Sequence, residues 1–251
     1  MSVSKLSNIK AILFDMDNTL INTRVGDNQT CEKLSYYLNE NFNLDFEAAE
    51  KVTSKYLQLF RENPQSSDVS IYEWRLSLWK KALGPMYDHI ADEVSKEYRR
   101  LRYHYVKLPS EVRSLLDELQ SSYRLCLISN GTSDGQWEKI QECGLESCFE
   151  CIVISGETPW KKPDANIFYK ACDELNVKPE QCVIIGDRIE TDIEGGKNAS
   201  LAATIWIHHT NDSYQLLPGE NNCPDFVINK VTELKEILCQ LNSPAPQDTT
   251  R

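Results

Sequence analysis

The chain has 251 residues, 41% apolar and 26% charged, with a formal net charge of −11 at pH 7. That length supports one substantial core with a smaller appended domain, and the composition fits a globular chain rather than a disordered one. The acidic balance argues against a general nucleic-acid binder, which gains affinity from Lys and Arg on phosphates, and no apolar run approaches the roughly 18 residues of a membrane helix.

The first apolar run, residues 10–15 (KAILFD), reads as a short buried strand. It ends on Asp15, with Met16, Asp17, Asn18 and Thr19 following. No apolar stretch of signal-peptide length precedes it. With an odd count of nine cysteines, this points to a reducing, cytoplasmic setting.

From about residue 23 to 106 the rhythm changes. Four helix-like stretches carry apolar positions at helical spacing, such as Tyr72, Leu76 and Trp79, or Val94, Tyr98 and Leu101. The expected organisation is a helical lobe over 23–106, inserted in an α/β core made of 1–22 and 107–241. Its expected linkers are residues 22–27 and 106–111, and its aromatics are expected to fill a core. Residues 242–251 (NSPAPQDTTR) are expected to form a flexible tail.

Beyond the lobe, predicted strands at 123–130, 150–155, 181–187 and 202–207 alternate with predicted helices near 110–121, 134–143, 164–175 and 191–198. A last helix is expected near 231–240. Strand and helix in alternation imply parallel strands joined by crossover helices, hence a doubly wound, Rossmann-like parallel sheet. Continuous apolar runs agree with strands covered on both faces. The pair Cys148 and Cys151 reads as core packing around a strand entry rather than a metal or redox site.

In such a sheet, ligands gather outside the carboxyl ends of the strands. Three predicted strands end in polar residues there: Asp15 and Asp17, then Ser129, Asn130 and Gly131, then Gly186 and Asp187. Several carboxylates in a small volume need a counter-charge. Mg²⁺ supplies one, since it takes hard oxygen ligands and commonly bridges carboxylates to a substrate phosphate. Ser129 offers a hydroxyl, while Asn130 and Gly131 offer backbone N–H groups ahead of a helix, a placement suited to phosphate. Of the adjacent cations Lys161 and Lys162, the second is preferred, because Pro163 restricts its backbone.

These segments, "DMDNT", "ISN", the Lys162–Pro163 pair and "GDRIETD", resemble in order and spacing the four motifs of the haloacid-dehalogenase superfamily, and the helical insertion resembles that superfamily's first type of cap. The resemblance implies Asp15 as a nucleophile that captures phosphorus and Asp17 as general acid and base. It implies Mg²⁺ held by Asp15, the Asp17 backbone carbonyl and Asp187, and phosphate oxygens held by Met16, Asp17, Ser129, Asn130, Gly131 and Lys162. Asp192 would orient the metal's water shell or cap a helix. An acid at position 17 selects phosphate-ester hydrolysis, or transfer as in sugar-phosphate mutases.

The stretches "FDMDNTLINT", "WKKPDANIFYKACDEL" and "VIIGDRIETDIEGGKNA" look closest to superfamily phosphatases of a phosphorylated sugar acid, a sialic acid 9-phosphate. Among Arg99, Arg100 and Arg102 in the last helix of the lobe, Arg102 is the first choice for a substrate contact, against a solvated basic face. Another small phosphorylated metabolite remains an alternative substrate, and a phospho-acceptor or scaffold the non-enzymatic alternative. No nucleic-acid or membrane partner is expected, and a monomer is favoured.

Overall fold

A computed structural model of the chain describes residues 8–62, 69–209 and 223–242. The expected tail beyond Asn242 lies outside the described residues. The chain divides into two compact units. One runs to Ile21, takes in Leu108–Gln136 and continues from Gly144; the other comprises Asn22–Lys107 and Trp137–Cys143.

The first unit is a six-stranded sheet in the order β3-β2-β1-β4-β5-β6, with β1 Ala11–Phe14, β2 Arg124–Ser129, β3 Cys151–Ile154, β4 Cys182–Gly186, β5 Ala203–Ile207 and β6 Phe226–Ile228. Each neighbouring pair is parallel, the order of a doubly wound sheet. The apolar runs that predicted β1 and β4 are buried along their whole length, as strands covered on both faces should be.

Helices α5 Ser110–Leu119, α6 Ser133–Glu142, α7 Ala165–Glu174, α8 Glu194–Asn198 and α9 Leu234–Asn242 follow the strands in turn. Beneath α7, the side chains of Ile167, Phe168, Ala171 and Cys172 pack with Leu13, Ile128 and Ile184 of the sheet. Asp164 starts α7 by accepting the Asn166 N–H at 2.9 Å, satisfying one of the amides a helix start leaves open. Cys148 and Cys151 are buried free thiols, in keeping with the packing role expected of them.

Between β1 and β2 the chain forms α1 Thr23–Phe42, α2 Phe46–Glu62, α3 Ile71–Leu83 and α4 Ala91–Tyr105. Their shared core joins Leu34, Leu38, Tyr56, Trp79 and Tyr98. The Tyr56 and Trp79 rings stack at 3.7 Å, and Tyr98 meets both edge-on. Ser70 caps α3 by accepting the Glu73 N–H. The C-terminal half of α6, Trp137–Cys143, groups with these helices, where Glu138 pairs with Arg75 and Arg99.

Two details differ from expectation. Residues 23–27 are the first turns of α1 rather than a linker. Strand β6 had no counterpart in the sequence reading; three residues, with Val227 half exposed, are too few to establish a period.

Candidate active site

Strand β1 places the first acid. Phe14, its last residue, pairs with Leu127 of β2 on one side and Ile185 of β4 on the other. The Asp15 N–H continues that ladder, donating to the Ile185 carbonyl at 2.9 Å. Asp15 therefore leaves the sheet at the point where strand order reverses, with the ends of β2 and β4 beside it. Beyond it the chain doubles back. Asn18 adopts a left-handed conformation (φ 62°), which Asn tolerates better than most residues. Its N–H donates to Ile21, while the N–H groups of Leu20 and Ile21 donate to the Met16 carbonyl. The Met16 side chain is fully buried beneath this turn.

Lys162 joins three elements. Its ammonium donates to Asp15 Oδ1 at 2.7 Å, to Asp192 Oδ1 at 2.6 Å and to the Ile128 carbonyl at 2.9 Å, which occupies all three of its hydrogens. Lys162 is 2% exposed, whereas Lys161 is exposed. The Asn130 side chain brackets the Lys162 backbone: Nδ2 donates to its carbonyl and Oδ1 accepts from its N–H, both at 2.9 Å. Asn130 thus acts through its side chain as well as its backbone, a use the sequence did not suggest.

Asp192 lies within the π-helical turn Ile189–Ile193 and is completely buried. One oxygen meets Lys162 and the other accepts the Arg188 N–H at 3.1 Å. It sits inside the turn rather than at a helix start, so it is not the N-cap that one reading expected. Gly186 is the reason it fits, because a Cβ there would stand 2.3 Å from the Asp192 carboxyl carbon.

The charges respond to this crowding. Burial pushes the Asp15 carboxyl up to about 6; Lys162 opposes that shift, and the charges of Asp192 and Asp17 add to it. Burial alone would lower the Lys162 ammonium, but Asp15 and Asp192 outweigh it and hold the group above its ordinary value.

Asp15, Asp187 and Asp192 each offer a carboxylate oxygen within 4.8 Å of the others, and all three are buried. Clustered hard oxygen donors of net negative charge fit a small divalent cation such as Mg²⁺.

Three further placements bear on the expected site. The Gly131 N–H donates to Ser155 Oγ at 3.0 Å, so it is already committed rather than open to a phosphate. Arg102 is buried and paired with Asp27 at 2.7 Å. It forms no solvated basic face, and this pairing lends the expected substrate contact no support. Gln136, which sequence reasoning passed over, is 4% exposed and donates to Ser129 Oγ at 2.8 Å and to the Asn130 carbonyl at 2.6 Å. Its only sequence signal was a polar residue on the first turn of a helix opening behind "SNG". The His209 ring meets the Asn18 carbonyl at 2.8 Å.

A doubly wound sheet with buried acids and a lysine gathered at its switch point defines a class, and comparison with known proteins agrees. Residues 12–205 match the family described as haloacid dehalogenase-like hydrolases, and the chain belongs to it. It is 34% identical to the N-acylneuraminate-9-phosphatase of Mus musculus, over 93% of this chain and 95% of that one. It is 29% identical to the glyceraldehyde 3-phosphate phosphatase of Pyrococcus furiosus, over 92% and 93%. Among solved structures, a magnesium-bound putative hydrolase of the family from Bacillus subtilis superposes with a TM-score of 0.62 at 25% identity, covering 92% of this chain and 99% of that one. The enzyme class is that of a phosphoric monoester hydrolase. Among the described residues, no helix is long and apolar enough to cross a membrane.

Proposed function

We propose that this chain is a Mg²⁺-dependent phosphomonoesterase that hydrolyses an N-acylneuraminate 9-phosphate to the free sugar acid and inorganic phosphate. The observation that carries the substrate is 34% identity along nearly the whole length of a phosphatase named for it. The reaction is argued from the buried acids and Lys162 at the strand ends.

Asp15 attacks phosphorus, its carboxylate oxygen forming a P–O bond as the bond to the sugar oxygen breaks. Asp17 gives a proton to the leaving alkoxide. A water then attacks the acyl phosphate, returning its proton to Asp17, releasing phosphate and restoring Asp15. Ser129 stabilises the phosphoryl oxygens by hydrogen bonding, and Lys162, whose hydrogens are held by Asp15, Asp192 and the Ile128 carbonyl, does so through its charge as theirs develops. The cation would be held by Asp15, the Asp17 carbonyl and Asp187, with Asp192 behind them, and when bound it offsets the charge of carboxylates and phosphate. The magnesium in the Bacillus subtilis relative supports this choice of ion. The helical unit, formed mainly by Asn22–Lys107, is assigned the role of a cap that selects the substrate.

The archaeal relatives favour a second reading, hydrolysis of glyceraldehyde 3-phosphate. Phosphate release from both esters, with Mg²⁺ and with EDTA, separates the two. The first reading expects kcat/KM at least about tenfold higher for the sialic acid ester, and loss of both activities in EDTA. Preference for the triose phosphate would install the second reading, and no release from any phosphomonoester would end both.

A further inference from the structure

We propose that Gln136 is a positioning residue that fixes the Ser129 hydroxyl as a hydrogen-bond donor toward the transferred phosphoryl group. The inference rests on the phosphatase reading above and adds a residue to it.

The contacts of the Gln136 amide fix its polarity. Its terminal atom lies 2.6 Å from the Asn130 carbonyl oxygen, and a carbonyl only accepts. The end facing it is therefore the NH₂ group. The same nitrogen is 2.8 Å from Ser129 Oγ, so its second hydrogen goes to the serine, which accepts. Ser129 is 1% exposed, and among the described residues its own proton meets no acceptor. A hydroxyl that accepts one bond from a fixed donor has its proton turned to the remaining directions. At the end of β2, two residues past Leu127, the partner of Phe14, that proton is available to a phosphoryl oxygen. A longer contact of 3.4 Å ties the same amide to Asp17 Oδ2.

Local backbone makes room for this arrangement. Gly131 has φ +150°, and a Cβ on it would stand 2.7 Å from Gln136 Nε2. Glycine at 131 is thus what admits the amide, rather than a donor to substrate through its own N–H.

The test is a double-mutant cycle in the full chain with p-nitrophenyl phosphate and Mg²⁺, pairing Gln136→Met and Gln136→Glu with Ser129→Ala. Gln136→Met keeps the volume but removes the donor; it should lower kcat/KM about tenfold in the parent and less than twofold in the Ser129→Ala background. Gln136→Glu is isosteric but only accepts, so it draws the serine proton to itself and should cost more than Gln136→Met. Equal losses in both backgrounds would overturn the proposal, since Gln136 would then act only by bracing the Asn130 loop. So would the absence of any loss. If Gln136→Met does not fold, Gln136→Asn takes its place with the same coupling expected. A parent enzyme that releases no phosphate removes the phosphatase reading and this proposal with it, whereas an active parent with uncoupled mutations removes the proposal alone.

Discussion

Lys162 illustrates how one residue sets the balance of the site. Three carboxylates are buried within reach of one another, and the Lys162 ammonium pairs with two of them. Removing it leaves Asp15 and Asp192 without their counter-charge, a change that costs about 3–5 kcal/mol when a buried pair is broken from one side. Lys162→Ala should therefore lower stability on that scale and reduce kcat/KM by on the order of a hundredfold or more. Because Lys162 opposes the upward shift of Asp15, its loss should also move the acid limb of the pH–rate profile to higher pH. Lys161→Ala, at an exposed position, should change stability by no more than about 0.5 kcal/mol and leave the profile in place. Chemical denaturation and pH–rate measurements on both variants check this, and the reverse ranking would contradict it. The sequence offered a reason to choose between the lysines, the restraint from Pro163. It gave no hint that the Asn130 side chain clamps the chosen one, because an Asn behind a strand serves an ordinary turn equally well.

Elements were legible in proportion to their length and burial. The fully buried runs of β1, β4 and β5 announced themselves, as did the amphipathic α2 and α4. What escaped were features fixed by tertiary fit. Strand β6 is too short to show a period. The π-helical turn at Ile189–Ile193 depends on Asp192 being drawn inward to Lys162, which no local propensity encodes. The inward Asp192 fits because β4 ends in a residue without a side chain. Gly186→Ala would drive a methyl group into the Asp192 carboxyl, a form of overpacking that costs about 1–3 kcal/mol. The expected result is a lower Tm together with loss of phosphatase turnover, since Asp192 must leave Lys162. Full activity in Gly186→Ala would show that the Asp192–Lys162 contact is dispensable.

At the scale of the whole molecule, the alternation of strand and helix was enough to indicate a parallel sheet. The order in which the strands lie side by side was not, because sequence order does not specify spatial order. Yet that order makes the site. Only with β1 between β2 and β4 do residues more than a hundred positions apart converge on Asp15. Substrate choice is the least legible part, since it depends on side chains whose ligand contacts no periodicity reveals. The covalent step is the claim from which the rest follows. Its most direct test is the mass of peptides from enzyme quenched in acid during turnover with Mg²⁺ and N-acylneuraminate 9-phosphate. The account predicts a peptide containing Asp15 heavier by about 80 Da, one phosphoryl group, and absent from Asp15→Asn. An active enzyme with no such adduct, or one whose Asp15→Asn variant turns over at the parent rate, would contradict it.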